Sequence, residues 1–144
     1  MPKSRIQLPE RFRFYAEVPI RITDLNYGGH VGNDTVVAVM HEGRIQFLQS
    51  LGYANELDAI DGQGLILTDL HVEYKAEIFY GDVIRVGIAP AELSDYGCGL
   101  IYRLARRDDD TAVALAYSSL YGFDYRQRRI ARLPAEFRRQ LGSA

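Results

Sequence analysis

Residues 35–51 read TVVAVMHEGRIQFLQSL, and whether they form a strand or a helix decides the fold. Val36, Val37 and Val39 are β-branched, which favours strands. Length argues the other way, because a run of this extent without a turn signal exceeds an ordinary strand. Asn33 or Asp34 can cap a helix start, and Gly52 suits the position just past its end. The reading is a helix over Thr35 to Leu51. Its first half is apolar nearly all round, so it is expected to be buried on most sides. Gly43, mid-helix, costs about 1 kcal/mol relative to Ala, and is expected to let a strand backbone come close.

Outward from this helix the chain reads as strands. Upstream, Phe12, Phe14, Ala16, Val18, Ile20 and Ile22 alternate with Arg13, Tyr15, Glu17, Pro19 and Arg21, a period-two pattern with one buried face. Pro19 has no ladder donor, so a free edge is expected there. Downstream, after the polar loop ANELDAIDGQG (54–64), Val72, Tyr74, Ala76 and Ile78 alternate with His71, Glu73, Lys75 and Glu77. Gly81-Asp82 marks a turn, followed by Ile84, Val86 and Ile88, then by Leu100, Tyr102 and Leu104. Asp108, Asp109 and Asp110 turn the chain into Val113, Leu115, Tyr117, Ser119, Tyr121 and Phe123. Ala112, Ala114 and Ala116 lie on that strand's other face, small enough for another surface to approach. Pro134 opens a short closing helix, PAEFRRQL. The turns are too short for parallel crossovers, so the sheet is antiparallel and residues 1–144 form one α+β domain. A single sheet with one helix leaves one sheet face uncovered, from which a homodimer is expected.

Composition narrows the function. Apolar residues make up 47% and charged residues 25%, the balance of a soluble globular protein. No apolar run approaches the length of a membrane span. MPKSRIQLPERFRF lacks the apolar core of a secretion signal, and the lone Cys98 cannot form an internal disulfide, so a cytoplasmic protein is expected. A net charge of −2 argues against nucleic acid as a partner. The one asymmetry is the tail, where Arg126, Arg128, Arg129, Arg132, Arg138 and Arg139 form either a solvated surface or a cationic rim for phosphates.

The stretch ahead of the helix, RITDLNYGGHVGND (21–34), carries the chemistry. It gathers two Asp, two Asn, one His and three Gly, more than a plain turn needs. Backbone N–H groups near Asn33 are the unpaired, partly positive donors of a helix N-terminus, able to hold an oxyanion that faces a cavity. Gly28, Gly29 and Gly32 permit positive φ and close approach of a substrate carbonyl. Asp24 and His30 are candidate proton-transfer groups, and Asn26 can orient a water. Glu42 lies nine residues past Asn33, about 13.5 Å along an ideal helix. The competing reading is an ordinary loop in which His30 bonds its own backbone. Asp24, His30, His41 and Glu42 lack zinc-ligand spacing, so neither a metal nor a cofactor is expected.

Taken in order, these pieces resemble the hotdog-fold thioesterases, the group containing 4-hydroxybenzoyl-CoA thioesterases and plant acyl-ACP thioesterases. The resemblance runs over nearly the whole chain: Asp24-Leu25-Asn26, His30-Val31-Gly32-Asn33, Glu42 twelve residues after His30, Val72-Glu73-Tyr74, Gly81-Asp82, Phe123-Asp124-Tyr125 and Pro134. It implies a curved antiparallel sheet wrapped around one long central helix. It also implies a homodimer, or a dimer of dimers (homotetramer), with sites between subunits, and acyl-CoA or acyl-ACP substrates. In such enzymes a loop carboxylate acts as base or nucleophile, and the amide at the helix start holds the carbonyl oxygen. This chain departs from the pattern, because Asn26 stands where the relatives place that carboxylate and Gly28 where the plant enzymes have Asn.

The expectation is therefore a thioesterase in which Asn26 and the Asn33 amide orient thioester and water. His30 or Glu42 removes the water's proton, and Asp24 holds the loop. Tyr27, Gly28 and Gly29 line the substrate's approach. Two other readings stay open: an acyl-CoA-binding module without catalysis, which Asn26 favours, and an enoyl-CoA hydratase, whose D-x-N-P-x-H loop this sequence approaches but does not match.

Overall fold

The computed structural model describes residues 5–56 and 63–143. Its elements are β1 (Phe14–Pro19), a single 3-10 turn (Ile22–Asp24), α1 (Asn33–Ser50), β2 (Gly64–Tyr74), β3 (Val83–Ala91), β4 (Gly97–Arg106), β5 (Ala112–Asp124), the two-residue β6 (Arg129–Ile130) and α2 (Ala135–Ser143). The strands form one antiparallel sheet in the order β1-β3-β4-β5-β2, with β6 beside the end of β5. Among the described residues no helix is long and apolar enough to cross a membrane.

α1 turns Val36, Val39, Met40, Gly43, Arg44, Phe47 and Leu48 toward the sheet, a stripe at three- and four-residue spacing. The sheet answers with Ile84, Val86 and Ile88, with Leu100, Tyr102 and Leu104, and with Ala114, Ala116 and Leu120, all buried. Each large aliphatic or aromatic side chain placed there contributes about 1.5–3 kcal/mol. The alanine face of β5 is therefore the helix-facing one, although α1 comes closest to β1 and β3. The helix is less enclosed than its apolar first half suggests: Val37 and Ile45 are half-buried and Ala38 is exposed, leaving one flank open.

Gly43 is where helix and sheet meet most tightly. A Cβ there would lie 2.8 Å from Val86 Cγ1, so the neighbour that comes close is a side chain and not strand backbone. Val86 is fully buried and stiff at χ1, so it has nowhere to turn. Gly43→Ala should therefore destabilise by about 1–2 kcal/mol despite its better helix propensity. The cost should largely vanish in Gly43→Ala/Val86→Ala, as measured by urea unfolding.

Several boundaries differ from the sequence reading. The first strand stops at Pro19, and Ile22, expected on the buried face, is 63% exposed in the 3-10 turn. β1 is an outer strand, which suits Pro19. β2 begins at Gly64 and ends at Tyr74, whereas the alternation suggested residues 71–78. A bulge between Leu67 and Asp69 breaks its period, and residues 75–78 stay tied but not in its ladder: Lys75 donates to Val113 O, and Ile78 O accepts from Val31. The sheet face away from α1, expected to be bare, is partly roofed by the chain's own start. Ile6 and Phe12 are buried there, Phe12 against Gly87. α2 closes the far end of α1 through Phe137 and Leu141, with the Tyr53 ring tilted against Phe137 at 5.4 Å and its hydroxyl donating to Gln140.

Candidate functional site

The glycine-rich loop is a small hairpin. Leu25 and Val31 bridge, Asn26 N–H donates to His30 O at 2.9 Å, and Gly29, at φ 77°, donates to Asn26 O at 3.2 Å. Asn26 Oδ1 accepts the Gly28 N–H at 2.9 Å. Part of the polar crowding thus builds the turn itself. With Oδ1 occupied, what Asn26 keeps for other work is its Nδ2 donor, which lies on the Gly32 side. Tyr27, at the tip, stands wholly in solvent. The His30 ring lies over Gly28, where a Cβ would come within 3.0 Å of Nε2, and its Nδ1 is 3.3 Å from Val31 O. Asp24 closes the 3-10 turn by accepting the Arg21 N–H at 2.8 Å.

α1 starts without a side-chain cap. Gly32, extended at φ −72° and ψ 161°, is the N-cap, so Asn33 and Asp34 are the first helical residues and not caps. A Cβ on Gly32 would meet only the tip of the exposed Asp34 side chain, Oδ1 at 2.9 Å. Val36 N–H is the first to close the ladder, onto Gly32 O. The amides of Asn33, Asp34 and Thr35 precede it, at the positive end of the helix. The Tyr74 hydroxyl steadies this turn by donating to Asn33 O at 2.9 Å.

Of the hollows that touch α1, three hold or adjoin the candidate residues. One, of about 390 Å³, lies toward β1 and brings Asp24 and Glu42 together with Thr35 and Ala38. A second, of about 250 Å³, lies toward the end of β2 and holds His30, Asn33 and Tyr74. The third, about 660 Å³, is a mainly apolar trough along the open flank of α1 from Asp34 to Ile45, walled by β2 and Tyr125. Ala38 lines both the first and the third. Within one chain, then, Asp24 and Glu42 line one hollow, whereas His30 and Asn33 line another. Glu42 also accepts from Gln46 Nε2, one turn on, at 3.1 Å.

At the end of the trough runs a polar chain that the sequence reading missed. His41 Nε2 lies 2.8 Å from Glu56 Oε1, and Arg44 Nε donates to Glu56 Oε2 at 3.1 Å. Arg44 Nη1 reaches the Tyr102 hydroxyl at 3.3 Å, which sits 2.7 Å from Ser118 Oγ. Burial works against the Arg44 charge, but Tyr102 and Glu56 outweigh it and hold the guanidinium pKa above its ordinary value. The available signal was Arg44's place on the buried stripe, where a charge demands a partner.

The family model for the thioesterase-like superfamily matches residues 20–141. The chain belongs to that superfamily. It is a thioester hydrolase with the hotdog architecture, a curved antiparallel sheet around one long helix. The thioesterase is similar to a 1,4-dihydroxy-2-naphthoyl-CoA thioesterase from Synechocystis, at 18% identity and TM-score 0.81 over 90% of this chain and 95% of that one. It is also similar to a Staphylococcus aureus protein solved in complex with CoA, at 17% identity and TM-score 0.83 over 96% and 86%. A hypothetical protein from Aquifex aeolicus shares 25% identity at TM-score 0.80 over 89% and 98%. Comparison with curated proteins gives no match. In the thioesterase, no group of three or more metal-ligating side chains occurs among the described residues.

Proposed function

We propose that the thioesterase hydrolyses CoA-type acyl thioesters in a crevice between two copies of the chain. The amides at the start of α1 in one copy meet Glu42 of the other there. The observation that carries this is a separation. Asn33 and Glu42 lie nine residues apart on one straight helix, about 13.5 Å along its axis. The first-turn amides point away from Glu42 along that axis, so one carbonyl carbon cannot address both within a single chain. A two-fold pairing supplies the missing member.

In this reading the thioester oxygen sits on the Asn33 N–H, with the Asn26 Nδ2 donor beside it. Glu42 takes a proton from water as the water attacks the carbonyl carbon. The tetrahedral intermediate then expels the thiolate, a good leaving group that needs little acid assistance. Oxyanion stabilisation and a modest base suffice for such a reaction. Asp24, committed to the Arg21 amide, shapes the hollow and leaves Glu42 as the proton acceptor. His30 fixes the loop over Gly28.

The test is thiol release from a panel of short and long, aliphatic and aryl acyl-CoAs, read with Ellman's reagent. Cys98 is buried and its thiol pushed up to about 12, so the protein adds no background. Stoichiometric release with turnover is expected. Tight acyl-CoA binding without release marks a binding module instead, and loss of enoyl absorbance from crotonyl-CoA marks a hydratase.

A further inference from the structure

With Asn26 in the loop position that the resemblance gives to a carboxylate, the loop itself brings no free acid to the start of α1. Asp24 is held by the Arg21 amide and guanidinium. A different carboxylate stands beside Asn26. Asp34 is the second residue of α1, exposed, at the head of the trough. Its side chain makes no hydrogen bond or ion pair with any described residue.

Gly32 shows where this side chain points. A Cβ on that buried glycine would lie 2.9 Å from Asp34 Oδ1 and 3.7 Å from Asn26 Nδ2. The next backbone nitrogen along is that of Asn33, the first amide of α1. A charged acceptor, an amide donor and the positive end of the helix therefore converge on the space that a side chain at position 32 would fill. We infer that Asp34 is a further catalytic residue, holding the attacking water in this space opposite Asn26. This rests on the hydrolytic reading above and adds to it the group that aims the water. Asn26 Nδ2 donates to the water oxygen. The water donates one hydrogen to Asp34 Oδ1 and the other to Glu42 of the other copy, so its remaining lone pair faces the carbonyl carbon. As the new C–O bond forms, the carbonyl π pair moves onto oxygen and Glu42 takes its proton. The C–S bond then breaks and the thiolate leaves with its electron pair. The O–H that Asp34 held stays on the acid product, and Asp34 keeps its charge throughout.

The test compares wild type, Asp34→Asn and the exchange Asn26→Asp/Asp34→Asn. In thiol release from an acyl-CoA, Asp34→Asn should lower kcat at least about tenfold with KM and melting temperature near wild type. The exchange should regain most of that loss, because carboxylate and amide face the same water from swapped positions. A merely structural charge on the first turn of α1 would not be replaced by one in the loop. A second arm needs no turnover: equilibrium binding of trifluoroacetonyl-CoA, a ketone that binds as its hydrate, against acetonyl-CoA, which stays unhydrated. Wild type should prefer the hydrate, and Asp34→Asn should cut that preference about tenfold. A wild type that binds the two alike sinks the hydrolytic reading and this inference with it. A preference that survives intact in Asp34→Asn sinks the inference alone, as does an undiminished kcat or an exchange variant no faster than Asp34→Asn.

Discussion

Mixing two inactive variants, Asn33→Pro and Glu42→Gln, is expected to restore roughly a quarter of wild-type turnover. Each change removes one half of the proposed site. Proline at the first helical position deletes the Asn33 N–H and little else, because that amide has no ladder partner and φ there suits the ring. Gly32, extended at ψ 161°, already has the backbone that must precede a proline. Losing an oxyanion donor should lower kcat by about 10²–10³-fold. Losing the base should lower it by about 10²–10⁴-fold. Asn33→Ala, which keeps the amide, should stay near wild type. If the two halves meet across a dimer, half of the re-associated pairs are mixed, and each mixed pair has one site with both halves intact. Co-refolded protein assayed for thiol release shows the gain. Activity no higher than that of either parent would place both groups of a working site in one chain and sink the shared-crevice mechanism.

Arg44→Ala should destabilise the fold by about 3 kcal/mol, lowering the melting temperature by roughly 6–12 °C. The side chain is only 7% exposed and Glu56 17%, so the pair is shielded from water. Removing one member strands the other, and leaves the Tyr102 hydroxyl with Ser118 alone. The lost methylenes add a void beside Met40 and Phe47, two of the largest buried side chains. Arg44→Met fills that space and keeps His41 beside Glu56, so it should recover much of the loss. Calorimetry of the three proteins decides it. An Arg44→Ala variant melting with the wild type would mean that the polar chain stabilises nothing.

The order of strand, buried helix, antiparallel strands and closing helix was legible because each element carries its own signal. Val36 to Leu48 holds the helical stripe, and β3 to β5 alternate cleanly. β2 was placed several residues late because its start, Leu65-Ile66-Leu67, does not alternate, and its bulge between Leu67 and Asp69 separates that start from the alternating stretch. The site was legible in part. Asp24, His30 and Glu42 stand out as polar residues in or beside apolar runs. Which of them share a hollow was not, because the seventeen residues between Asp24 and Glu42 include a hairpin whose path depends on contacts to Ile78 and Phe79. Glu56, Arg44's partner, lies beyond the end of α1, where no periodicity links the two.

The sheet's two borders are unlike. β1 is six residues long and ends in a proline, while β2 offers eleven residues without one. Proline cannot donate to an added strand, and a short border gives a newcomer little to hold. Edge-to-edge joining through β2 would use the one inviting border of each molecule. Growth by that route would end at a closed pair, with no second inviting border from which to run on into fibres.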